Sequence, residues 1–186
     1  MTAARRPTAQ ELAAAQDQTI PDLIQPGLRV LFSGINPSLY SAAVGYHFAR
    51  PGNRFWPALH RSGFTPRQFG PAEQDELLTL GLGITNVVAR ATAQADELSP
   101  AELAEGGQLL AAKVAEFRPR WLAVAGVTAF RVAFAQRHAA VGRQPGELNG
   151  AQLWVLPNPS GLNAHYLLPQ LAEAFADLRE AAAGDL

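Results

Sequence analysis

Four short apolar runs, at residues 28–35, 83–88, 121–127 and 152–157, set the terms on which this chain can fold. Each is nearly continuous in apolar side chains, too short for a helix of ordinary length, and rich in β-branched or aromatic residues. That is the pattern of a strand buried on both faces. The intervening stretches carry helix signals. Ser99-Pro-Ala-Glu102 reads as a capping box with proline in the first turn, opening a helix that Pro119 stops after Phe117. Helices are also expected over 53–60 (closed by Gly63), 71–80 (between Pro71 and Gly81), 128–136 and 164–183, and 139–150 reads as a Gly/Pro-containing connection. Strands alternating with helices need right-handed crossovers. The expected fold class is therefore α/β, a three-layer α/β/α sandwich around a central, mostly parallel sheet. Residues 1–25, with a short helical stretch from Thr8 to Asp17 broken by Pro21 and Pro26, form a peripheral arm, and 26–186 a single domain.

In such a sheet ligands bind where the strands end at their carboxyl edge. The segments leaving those ends are GINPSLYSA, the loop 89–98, GVTAF and LPNPSGLNA. The first continues to GINPSLYSAAVGYHFARPGNRFW (34–56), which has neither helical nor strand periodicity and no acid. It reads as a binding surface.

Composition excludes several answers to what is bound. The 186 residues contain no cysteine, so disulfides, thiolate nucleophiles and cysteine metal sites are absent, and His47, His60, His138 and His165 lack zinc-ligand spacing. No metal or other cofactor is expected. There is no Walker-type phosphate loop, no G-x-G-x-x-G after the first strand and no G-x-S-x-G elbow. No apolar run reaches about 20 residues, and the N-terminus lacks the apolar core of a signal peptide, which points to a cytoplasmic protein without a membrane partner. A net charge of −1 gives no general pull towards nucleic acid, yet residues 23–72 and 117–146 contain arginines and no acid. One anion-facing side would need such segregation, although scattered solvated arginines would read the same way.

What remains at the sheet edge is amide, hydroxyl and aromatic chemistry: Asn36, Ser41, Tyr46, Phe48, Asn158 and Ser160. Amides can position a water and read both edges of a flat heteroaromatic, and a phenyl ring can stack on one. Each feature has a plainer alternative. Asn-Pro often just starts a turn, Phe48 could be core and Leu162 an exposed singleton.

These residues carry a resemblance. The two motifs, in this order and both after predicted strands, with GFTPRQ and QADELS between them, resemble the mismatch-specific uracil-DNA glycosylases, relatives of thymine-DNA glycosylase within the uracil-DNA glycosylase superfamily. The likeness runs over about 26–180. It implies a monofunctional, cofactor-free repair enzyme, active as a monomer at the nucleoid. Its partner would be double-stranded DNA carrying uracil opposite guanine, or another mismatched or damaged pyrimidine, and the base would be flipped out for hydrolysis of its N-glycosidic bond. It further implies that Asn36 holds the attacking water. Ile35, Ser41, Phe48 and Asn158 would form the base pocket, with Phe48 stacking on the base and Ser41 near the pyrimidine 5-position. Leu162 would be the wedge filling the vacated stack, and Gly161 and Asn163 would face the widowed guanine. Two positions depart from the family pattern: Ser38 stands where glycine is common, and Ala164 where arginine commonly follows the wedge. Asn36 has no useful basicity. Asp96, in the loop after the second strand, is the candidate general base or electrostatic stabiliser, with a helix-entrance role as its alternative. A non-catalytic DNA-damage binder and a small-molecule nucleotide-binding α/β protein remain the other two readings.

Overall fold

The computed structural model describes residues 5–184. Five strands form one sheet: β1 (Val30–Gly34), β2 (Leu82–Asn86), β3 (Trp121–Ala125), β4 (Gly142–Leu148) and β5 (Ala151–Leu156), in the order β2-β1-β3-β5-β4. All neighbours are parallel except β4, which runs antiparallel to β5. The apolar runs behave as doubly buried strands because successive side chains serve opposite cores. Val30 and Phe32, Trp121 and Ala123, and Trp154 and Leu156 enter one cluster with α3 (Phe55–Arg61), α4 (Glu76–Thr79) and α7 (Leu168–Ala183). Leu31, Leu122, Val124, Leu153 and Val155 enter the other, with α5 (Pro100–Phe117) and α6 (Val127–Ala133). The α/β/α sandwich follows from that alternation.

The capping box of α5 forms as expected, with Ser99 and Glu102 each accepting the other's backbone N–H. Gly106 and Gly107 stand mid-helix for a steric reason: a Cβ at either would lie 2.3 Å from the Val87 carbonyl oxygen or 2.1 Å from that of Ala133. Glycine lets α5 approach both backbones and locks the segment after β2.

Three local expectations are corrected. The first motif contains a helix, α2 (Leu39–Val44), begun by the Ser38 side chain and ended at left-handed Gly45. It shows no periodicity because it is six residues long and buries only Ser41. The connection 139–150 holds β4, an edge strand exposed along most of its length, so no apolar alternation announces it. Residues 71–80 are a 3₁₀ turn (Pro71–Glu73) followed by the short α4 rather than one helix.

After α1 (Ala9–Ala14), the chain runs along the β2 edge. Asp17 donates its N–H to the Ala91 carbonyl (2.9 Å), Leu23 bridges antiparallel to Ile84, and Asp22 binds Lys113 (2.5 Å) and Thr85 (2.8 Å).

Candidate active site

At the carboxyl edge of the sheet lies a cleft of about 690 Å³, a volume within the range of small-molecule sites. Its walls are the segments following β1, β2, β3 and β5. Ile35, Asn36, Ser41 and Phe48 reach it from the first motif, Asp96 from the loop after β2, and Asn158, Leu162 and Asn163 from the second motif. Gly161 is not among its walls. It packs on the backbone of Gly52, where a Cβ would lie 2.8 Å from the carbonyl oxygen.

Asn36 is the most tightly specified of these side chains. Its Nδ2 donates to the Arg90 carbonyl (3.0 Å) and to Thr92 Oγ1 (2.8 Å), which leaves Oδ1 without a partner among the described residues. Arg90 is itself clamped. Its guanidinium binds Glu102 (2.6 and 3.2 Å) and Asp17 (2.9 Å), and the Arg90 and Ser99 donors hold the Glu102 carboxyl down to about 2. The α5 cap thus braces the loop that holds Asn36.

Phe48 sits in the left-handed region (φ 51°), a conformation that costs a non-glycine residue about 1–2 kcal/mol. It is kept there by stacking on Phe55, with ring centroids 4.0 Å apart and an interplanar angle of 19°. The preceding residue is pinned on both sides: the His47 N–H donates to Gln74 (2.9 Å) and its carbonyl accepts from Trp56 Nε1 (3.2 Å). One face of the Phe48 ring is therefore covered, and the residue borders the cleft. The ring His47 carries is buried, which pushes its pKa below the ordinary 6.5, and Nε2 lies 2.9 Å from the Pro21 carbonyl.

The Ser41 hydroxyl is buried and accepts from Ala49 N–H (3.0 Å) and Ser38 Oγ (3.1 Å). Ser38, the departure from the glycine pattern, is occupied in capping α2. Asn158 Oδ1 accepts the Ser160 N–H (3.0 Å), and its Nδ2, a donor, has no partner among the described residues. Both ends of the Asn163 amide stay within the loop, donating to the Asn158 carbonyl and accepting from His165 N–H. Leu162 is 71% exposed. Asp96 is exposed on the cleft wall, in a 3₁₀ turn (Ala95–Glu97), with no hydrogen-bond partner among the described residues.

Two contributors escaped the sequence. Asn86 ends β2 beside Gly34, its amide free of partners among the described residues, and lines the cleft. The only signal was an amide at a strand's carboxyl end. Arg54, just before α3, joins the motifs: its guanidinium donates to the carbonyls of Ser160, Tyr166 and Asn163, the last at 3.0 Å.

The acid-free segments do not make one basic face. Arg29, Arg118 and Arg120 immediately precede β1 and β3 and so lie at the opposite, amino edge, while Arg67 pairs with Glu73 and Glu76. Arg50 is exposed and lines the cleft. Among the described residues no group of three His, Asp or Glu could hold a metal ion, and no helix is long and apolar enough to cross a membrane.

Fold and cleft together define an α/β/α protein with an amide- and aromatic-lined ligand site at the carboxyl edge of its sheet. Over residues 21–179 the chain matches the uracil DNA glycosylase superfamily, and it belongs to that family. At the family level it is a uracil DNA glycosylase, a DNA-repair hydrolase acting on DNA that contains uracil. Its fold is similar to the solution NMR structure of a candidate uracil DNA glycosylase from Methanosarcina acetivorans. The TM-score is 0.59 at 20% identity, with 88% of this chain and 97% of that one covered.

Proposed function

We propose that the chain is a monofunctional, cofactor-free glycosylase that, as a monomer, excises uracil opposite guanine from double-stranded DNA by base flipping. The observation that carries the reading is Asn36: an amide in the cleft whose nitrogen is fully engaged and whose oxygen is free to accept from a water. The flipped base stacks on the open face of Phe48. Asn158 Nδ2 donates to a pyrimidine carbonyl, with Ile35 and Ser41 closing the pocket, Ser41 towards the 5-position. The water oxygen bonds to C1′ as the C1′–N1 bond breaks, and the bonding pair leaves on uracil N1. The water's proton passes to Asp96, which also stabilises the cationic sugar. Leu162 fills the vacated stack. Asn163 keeps its amide inside its own loop, so the guanine is met chiefly by Gly161, whose backbone groups have no partner among the described residues.

The test is single-turnover release of free uracil from a G:U duplex by wild type, Asn36→Ala and Asp96→Asn, with melting as a control. Removing the water-positioning amide is expected to slow release on the order of 10²-fold while duplex binding persists. Wild-type binding without any release would replace the enzyme by a damage binder. Wild-type rates in the Asp96 variant would return that residue to the helix entrance.

A further inference from the structure

We infer that Thr92 is the positioning residue that fixes which end of the Asn36 amide faces the nucleophilic water, an inference that rests on the glycosylase reading above. An asparagine amide turned by 180° swaps an acceptor for a donor at nearly the same place. Only the acceptor can take a hydrogen bond from the water and leave an oxygen lone pair aimed at the sugar. An amide with its nitrogen outwards would bind the water through that lone pair. The protein therefore has to choose one orientation, and the choice is made behind Asn36.

Two groups meet its Nδ2. The Arg90 carbonyl can only accept. Thr92 Oγ1 could in principle donate or accept, but its single hydrogen goes to the Gln94 carbonyl 2.7 Å away, so towards Asn36 it presents lone pairs at 2.8 Å. Turned over, the amide would set Oδ1 against two acceptors. Both amide hydrogens are thus used, and Oδ1 is left for the cleft. Thr92 is well placed to impose this. It is buried (2% exposed), it bridges to Ser38, and its N–H donates to the Pro37 carbonyl (3.2 Å), the residue next to Asn36. The carbonyl of Arg90 stays in any variant, so loss of the Thr92 hydroxyl weakens the choice without abolishing it.

The experiment is a double-mutant cycle read by single-turnover uracil release and by duplex affinity. Thr92→Val keeps the shape and removes the hydroxyl; Thr92→Ser keeps the hydroxyl. The Val variant is expected to release uracil about 10-fold more slowly at unchanged affinity, as when a group supporting a catalytic side chain is lost, with the Ser variant within about 3-fold of wild type. In an Asn36→Ala background, Thr92→Val is expected to add no further loss, because Thr92 acts only through Asn36. Melting curves accompany every variant, and Thr92→Ala replaces Val if the latter does not fold. A wild-type rate in the Val variant overturns the inference, and so does an equal fold-loss in the Asn36→Ala background or a rate loss matched by lost affinity. If wild type itself releases no uracil, the glycosylase reading fails first and this role falls with it.

Discussion

Gly34→Ala separates the site from the fold with one methyl group. Gly34 ends β1 opposite Asn86, and its φ lies outside the left-handed region, so alanine suits the backbone. The methyl would stand 2.6 Å from Asn86 Oδ1 and 3.2 Å from Phe48 Cζ. Ordinary carbon–oxygen contact begins near 3.3 Å, so the Asn86 amide has to retreat by roughly 0.7 Å, and the ring by a few tenths. The amide has no other partner among the described residues and yields cheaply. The ring does not, because Phe55 is stacked behind it. Overpacking costs about 1–3 kcal/mol, offset by about 0.4–1 kcal/mol from the less flexible unfolded chain. A net loss near 1 kcal/mol lowers the melting temperature by about 2–4 °C for a chain of this size. Activity is more sensitive, since a misplacement of about 1 Å at reacting groups can cost on the order of 10²-fold. Single-turnover uracil release and thermal unfolding, measured on the same preparation, give both numbers. A wild-type rate at nearly unchanged stability would mean that Asn86 and Phe48 do not shape the base pocket. A melting loss above about 10 °C would refute the claim that the strain falls on soft cleft side chains.

Leu162→Ala is expected to slow excision from duplex more than from single-stranded DNA, because only the duplex incurs the few kcal/mol of unstacking that a wedge offsets; equal losses would mean the leucine is not a wedge. Arg54→Lys loses the planar fork that spans three carbonyls, so hydrogen exchange of amides 160–166 should quicken while that of β1 and β3 stays unchanged; uniform exchange would show that the second motif holds its own shape. Burial lowers the His47 pKa below 6.5 in the folded chain, so as the pH falls beneath 6.5 the unfolded chain takes up its proton before the folded one does. Stability should therefore fall as pH drops from 6.5 towards the folded value, by at most about 1.4 kcal/mol per pH unit, and a His47→Gln variant should lack that slope in melts between pH 5 and 7. Arg50→Ala should reduce the slope of log affinity against log salt by about 1 if that side chain meets a phosphate, and an unchanged slope would remove it from the DNA-binding face.

Much of this molecule is local. The doubly buried strands are legible because a strand with cores on both faces must be apolar at nearly every position, and the α5 entrance because a capping box closes within four residues. The two Asn-Pro motifs mark the ends of β1 and β5, and parallel pairing carries both to one edge. Elements with no core to face stayed silent: β4 is exposed, and α2 has one buried residue. What the sequence could not supply is the set of partners that fix the site. Thr92 lies 56 residues from Asn36, and the carbonyls that Arg54 holds are 106 to 112 residues away from it. Asn86 becomes a cleft residue only because β2 pairs with β1. Those meetings follow from the strand order β2-β1-β3-β5-β4, which no residue's neighbours in sequence encode. Local chemistry determined which groups could serve, and tertiary pairing decided which hydrogen bonds were already taken and therefore which atoms were left to act.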